Sequence, residues 1–113
     1  MTGPPAPLKP TVFLILLALA ERERHGYNLV KAVEARVPGM RIEPANLYRT
    51  LRTLKREGLI AESSHRPDPE LDDSRRRYFK ITDRGARLAR AEANRLAKLV
   101  RLAKKLGPLA EQK

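Results

Sequence analysis

The chain has no cysteine and no tryptophan, and only two histidines. Without thiols there is no disulfide, no thiolate metal site, no redox pair and no cysteine nucleophile. Two imidazoles fall short of a multi-histidine metal centre. Aromatic residues make up 4%, too few for a protein that holds single strands by stacking on their bases. Acid is scarce as well, with 13 Asp and Glu against 24 Lys and Arg. No apolar run is long. Val12 to Ala20 is unbroken but spans nine residues, against the roughly 20 that a membrane-crossing helix needs. There is no glycine-rich phosphate loop. Asp72-Asp73 lacks the further ligands of a cation site. Ser63, Ser64 and His65 are adjacent but sit at the mouth of a polar loop, with no scaffold to hold a nucleophile against a base. Neither an enzyme nor a bound cofactor or metal is expected.

What is present points elsewhere. A length of 113 residues suits one small domain with a modest core, helped by dimerisation. Hydrophobic content of 42% is that of a folded protein. The net charge of +11 calls for a polyanionic partner, nucleic acid before an anionic membrane surface. Lys9 and Ala18-Leu19-Ala20 mimic a secretory signal, yet the Pro-rich segment before the apolar run is only weakly cationic. A buried first helix in a cytoplasmic protein, with no membrane partner, is the expectation.

Residues 1–9 hold three of the nine prolines and read as a flexible N-terminal arm. Pro10 opens a helix running to about Arg24, apolar nearly all round. His25-Gly26 breaks it, with His25 in a capping or packing role. A second helix follows from Tyr27 to about Arg36, patterned by Tyr27, Val30, Val33 or Glu34, and Val37, and Pro38-Gly39 ends it. Glu43-Pro44 starts a third helix with Leu47, Leu51 and Leu54 on one stripe, stopped by Gly58. Leu59-Ile60-Ala61 begins a strand, residues 62–76 form a polar loop, and residues 77–81 form the returning strand. Thr82 caps a last helix from Asp83 to Leu106, ended by Gly107-Pro108. The order predicts a mainly α protein with a small β-hairpin. It is a winged helix-turn-helix over residues 10–82, a C-terminal dimerisation helix over 83–106 and a tail over 107–113.

The third helix turns Ala45, Arg49, Arg52 and Arg56 away from its leucines. Asn46 and Thr53 share one flank, Tyr48 and Lys55 the other. Arg can bond guanine with two parallel hydrogen bonds and Asn adenine likewise, so this face has the chemistry of a major-groove reader. A merely solvated basic face is the alternative. Arg75, Arg76 and Arg77, with Arg66 at the entrance, suit phosphate or minor-groove contact from the wing. Glu70, Asp72 and Asp73 stand ready to neutralise them.

On the last helix Ala89, Leu96, Leu99, Ala103 and Leu106 form a partial seam that Glu92 interrupts. Leu88, Val100, Leu102 and Leu109 broaden the apolar surface, with Leu88 joining Leu96, Leu99, Ala103 and Leu106 at the expected interface. The apolar surface is wider than one small domain covers, which predicts a homodimer. A two-fold dimer would set two third helices about 34 Å apart, one turn of double-stranded DNA, on a near-palindromic site. Charge alone would instead coat nucleic acid without sequence preference, and an adaptor would use the wide face of the last helix to bind protein.

Three segments resemble the PadR family of transcriptional regulators. His25-Gly26-Tyr27-Asn28-Leu29 is similar to its HGYxL segment. Asn46-Leu47-Tyr48-Arg49-Thr50-Leu51 with Leu54 and Glu57-Gly58-Leu59-Ile60 is similar to its recognition-helix motif. Arg77 to Gly85 is similar to its (K/R)YYxxTxxG strand and helix start. A single C-terminal helix resembles the short branch. The resemblance implies a homodimeric winged helix on operator DNA, often a repressor, with contacts near Tyr27, Asn46, Tyr48 and the wing. Arg49 stands where the motif has Pro, and Lys55 where it has an acid. Some short-branch relatives hold a small, planar hydrophobic effector between subunits with a Trp, a residue this chain lacks.

Overall fold

A computed structural model describes residues 5–64 and 77–110. The elements run α1 (Pro10–Glu21), β1 (Arg24–His25), α2 (Gly26–Arg36), α3 (Pro44–Arg56), β2 (Ile60–Ser63), β3 (Tyr78–Ile81) and α4 (Asp83–Lys105). A 3-10 turn, Gly107–Leu109, follows. Three antiparallel strands form a sheet in the order β1-β3-β2. Among the described residues no helix is long and apolar enough to cross a membrane.

The apolar run folds as α1, with Pro10 in its first turn where a missing N–H costs nothing. Ile15, Leu16, Ala18 and Leu19 are buried at the centre of the core. The helix ends at Glu21, three residues before the predicted Arg24. The reason is nonlocal: Arg24 and His25 pair with Phe79 and Tyr78 on the free edge of β3. Arg24 is itself buried and ties three elements together. Its Nε donates to the Ala18 carbonyl at 2.9 Å, and its other nitrogens reach Glu21 and Asn28. Burial of a guanidinium is tolerable only with such a full set of acceptors. Glu21 also meets Arg36 of α2, whose hydrogen bond leads the causes holding that carboxyl below its usual range.

α2 buries Leu29 and Val33, with Val30 and Ala32 packed alongside. The predicted stripe began one turn early: Tyr27 points outward, 62% exposed. His25 caps the helix, its Nδ1 accepting from the Asn28 N–H at 3.2 Å. Between α2 and α3, Glu34 accepts from the Ile42 N–H at 2.9 Å and fixes the link.

α3 ends in a Schellman motif. The Leu59 N–H bonds the Leu54 carbonyl at 2.9 Å and the Gly58 N–H bonds that of Lys55 at 3.0 Å. Gly58 adopts φ +78, the left-handed conformation that side chains resist. Leu59 belongs to this cap, so β2 starts at Ile60 and β3 at Tyr78, one residue later than predicted in each case.

The start of α4 is clamped onto that cap. Thr82 Oγ1 accepts from the Gly85 N–H at 3.0 Å and donates to the Gly58 carbonyl at 2.6 Å. Arg84 Nε donates to the Glu57 carbonyl at 3.1 Å. A Cβ on Gly85 would lie 2.1 Å from the Leu59 carbonyl oxygen, so only glycine allows this approach. α4 then packs Ala89 and Glu92 against the domain. Glu92 does not merely interrupt a seam. It is 5% exposed, accepts from the Leu8 N–H at 3.3 Å and pairs with Arg95. Beyond Leu96 the helix runs out past the core, leaving Leu99, Val100, Leu102 and Leu106 exposed.

Candidate nucleic-acid interface

The position of α3 is set by its leucines. Leu47, Leu51 and Leu54 are each at least 98% buried, roughly 1.5–3 kcal/mol apiece in apolar burial. That inner stripe fixes the roll of the helix and turns Arg49, Arg52 and Arg56 to solvent. No acid lies on α3. Arg49 donates to Asn46 Oδ1 at 2.8 Å, so these two side chains are joined on the surface. Arg56 approaches Thr53 Oγ1 at 3.5 Å, the loosest such contact. A shallow groove of about 490 Å³ separates the Asn46 and Thr53 flank from Pro7, Leu8 and Lys9.

The opposite flank faces the wing. Tyr48, 48% exposed, leans toward the start of α2. A Cβ on Gly26 would stand 2.6 Å from its hydroxyl oxygen, so glycine makes room for the phenol. Beside it Tyr27 stacks parallel to His25 at 6.4 Å, and Lys31 lies 5.1 Å over the Tyr27 ring. The rings of His25 and of Tyr78 on β3 meet edge to face, their centroids 5.3 Å apart. The N-terminus of α2, α3 and the wing strand therefore converge on one aromatic corner.

Between α3 and the wing lies a cleft of about 430 Å³, floored by Leu51 and Phe79 and rimmed by Tyr48, Arg52, Lys55, Glu62 and Arg77. Glu62 of β2 pairs with Lys55 and lies 3.8 Å from Arg77. It thus bridges a cation on the third helix and one on the wing. Glu62 is a functional candidate that the sequence pattern did not single out. Its register opposite Phe79 becomes legible only once the strands are paired.

Tyr27, Asn46, Tyr48, Arg49, Arg52, Arg56 and Arg77 are exposed and Thr53 is half-buried. Arg75, Arg76 and Arg66 lie outside the described residues, as do Glu70, Asp72 and Asp73. The placed residues fall into two groups: the outer face of α3, and the corner joining α2, Tyr48 and the wing. Among the described residues no group of three or more His, Asp or Glu is placed to hold a metal ion.

The sequence matches the PadR-like family of transcriptional regulators over residues 15–91. No curated protein matches it. Its fold is similar to a PadR-like transcriptional regulator from Bacillus cereus, with a TM-score of 0.73, 18% identity, and 89% of this chain and 92% of that one covered. It is similar to a PadR family transcription regulator from Clostridium difficile, with a TM-score of 0.72, 18% identity, and coverage of 86% and 97%. A transcriptional regulator from Clostridium thermocellum aligns with a TM-score of 0.69, 21% identity, and coverage of 85% and 88%. The match takes in α2, α3, the wing strands and the start of α4, more than half of the chain. With this winged-helix architecture around it, the chain belongs to the PadR-like family of transcriptional regulators, a DNA-binding family and not one of enzymes.

Proposed function

We propose that the chain acts in the cytoplasm as a homodimeric repressor on a near-palindromic operator. α3 enters the major groove, and the wing lies on the backbone or in the minor groove. The observation that carries this reading is the outer face of α3. Three arginines there are exposed opposite a fully buried leucine stripe, with Asn46 hydrogen-bonded to Arg49 and no acid on the helix. Arg49 and Asn46 are the base-reading pair. Arg52, Arg56, Thr53 and the wing arginines, Arg75, Arg76 and Arg77, hold phosphates. Tyr27 and Tyr48 contact the backbone at the aromatic corner. Dimerisation joins the exposed apolar face of α4, Leu96, Leu99, Ala103 and Leu106 with Leu88 at its edge, to that of a second copy.

The deciding experiment is a fluorescence-anisotropy titration at several salt concentrations. One duplex comes from upstream of the protein's own coding region, the other is its shuffled counterpart. A specific regulator should bind its site at least ~1,000-fold tighter at physiological salt. If the two duplexes bind alike, selection from a random library decides: an enriched motif keeps the reading with an operator elsewhere, and none overturns it. On the preferred site Arg49→Ala should cost about 1–3 kcal/mol if Arg49 reads a base, whereas a uniform small loss on all sequences would make it a phosphate contact.

A further inference from the structure

Net charge is concentrated on two elements. α3 carries four cations and no acid, and α4 carries eight cations against Asp83 and Glu92, so together they hold +10 of the chain's +11. The share on α3 belongs to the operator interface. The share on α4 does not, because the hydrogen bonds that tie α4 to the end of α3 come from its N-cap and first turn, Thr82 and Arg84, and the rest of the helix runs on past them.

At 100° per residue, Arg87, Arg90, Asn94, Lys98, Arg101 and Lys105 fall in a single row. The row lies opposite the stripe of Gly85, Ala89 and Glu92 that faces the domain. All six residues are exposed, and the row is about 27 Å long. Asp83 stands one turn before it, and no acid interrupts it between Arg87 and Lys105. Among the described residues none of its five cations has an ion pair or a side-chain hydrogen bond. Like charges three and four residues apart weaken a helix, so helix stability does not account for the row. Nor does dimerisation, because Leu96, Leu99, Ala103 and Leu106 lie on the other side of α4 and pairing through them leaves both rows open.

We propose that this row binds the phosphate backbone of a second segment of duplex DNA, apart from the segment that α3 occupies. The proposal rests in part on the reading of α3 as the first DNA site. Charge complementarity selects the partner. A straight line of cations with no aromatic or large apolar anchor among them lacks the hot spots by which proteins hold proteins. It suits a stiff polyanion with regularly spaced oxygens, and guanidinium groups bond phosphate in pairs. A regulator with such a row would draw two DNA segments together.

The test uses the full chain and two unrelated duplexes of about 20 base pairs, roughly two helical turns, each too stiff at that length to wrap from one site to the other. One carries an energy-transfer donor and the other an acceptor. The wild type should bring them together. The row variant R90Q/K98Q/R101Q should abolish transfer while binding a single duplex within about threefold of wild type, because α3 is untouched. R90K/R101K, which keeps the charge, should restore transfer. The α3 variant R49A/R52A separates the two readings. If it binds single duplexes as well as wild type while the row variant does not, the α3 reading fails and the row stands as a DNA site. Transfer by the row variant equal to wild type overturns the proposal. So does a wild type that captures labelled poly-glutamate yet never pairs the duplexes, which would make the row a site for acidic polypeptide.

Discussion

Glu62 is an acid placed where a DNA-binding surface has least use for one. It holds Lys55 and faces Arg77, so in the proposed complex both cations would reach DNA only after leaving the carboxylate. Exposed pairs of this kind are weak, so in that complex Glu62 would act as a brake on binding rather than as a structural tie. Glu62→Gln should raise affinity for every duplex and steepen the salt dependence by about one to two phosphate contacts, read by anisotropy across salt. An unchanged slope would mean that Lys55 and Arg77 stay off the DNA. Two glycines make an opposite contrast. A Cβ at Gly26 meets the tip of an exposed Tyr48, which can swing away, whereas one at Gly85 meets the Leu59 backbone oxygen. Gly85→Ala should cost about 1–3 kcal/mol or more in urea unfolding. Gly26→Ala should leave stability nearly intact and weaken DNA binding through a displaced Tyr48. Equal midpoints for the two variants would refute the close approach at Gly85. The outward positions of Arg49, Arg52 and Arg56 are legible from sequence because one helix period decides them. Glu62 and the anchoring of Arg24 are not, because both depend on which strand edges pair.

Among the elements, the helices were legible and the first strand was not. Leu47, Leu51 and Leu54 announce α3 by spacing, and Gly58 announces its end. β1 is two residues long, too short to alternate, and exists only because β3 has an edge to offer. The same nonlocality explains Glu92. In sequence it breaks an apolar seam on α4; in the fold it holds the backbone of Leu8 and pairs with Arg95. Its carboxyl is held below the usual carboxylate range, chiefly by the Arg95 hydrogen bond and further by the Leu8 N–H, against the opposing pull of burial. A lowered folded-state pKa stabilises fully above the ordinary value of 4.5 and is lost as pH falls through the lowered one. Glu92→Gln should therefore unfold more easily than wild type at pH 7. The gap should close as pH drops below 4.5. Urea titrations across that range read it directly. A gap that persists undiminished in acid would assign the role of Glu92 to shape rather than charge.

At the scale of the whole molecule, α4 is an element with too little domain to hide it. Its 23 residues extend about 35 Å, and the core covers only the first half. Leu99 and Leu106 are each 47% exposed, near Val100 and Leu102. A soluble monomer rarely leaves so continuous an apolar strip open. The five cations of the row keep to the far side, so pairing through the strip would not bring the two rows together. In the proposed dimer a two-fold contact between strips would also set the distance between the two α3 helices, which would make dimerisation a condition of reading both halves of an operator. Replacing Leu99 and Leu106 by Asp should give monomers by light scattering without loss of helix content, because neither side chain belongs to the core. Those monomers should keep the affinity of one half-site and lose the gain that a palindrome gives the wild type. A double variant that stays dimeric places the contact elsewhere, with exposed Leu17 of α1 the next position to charge. A monomer that still favours the palindrome as strongly as wild type would separate operator recognition from dimerisation altogether.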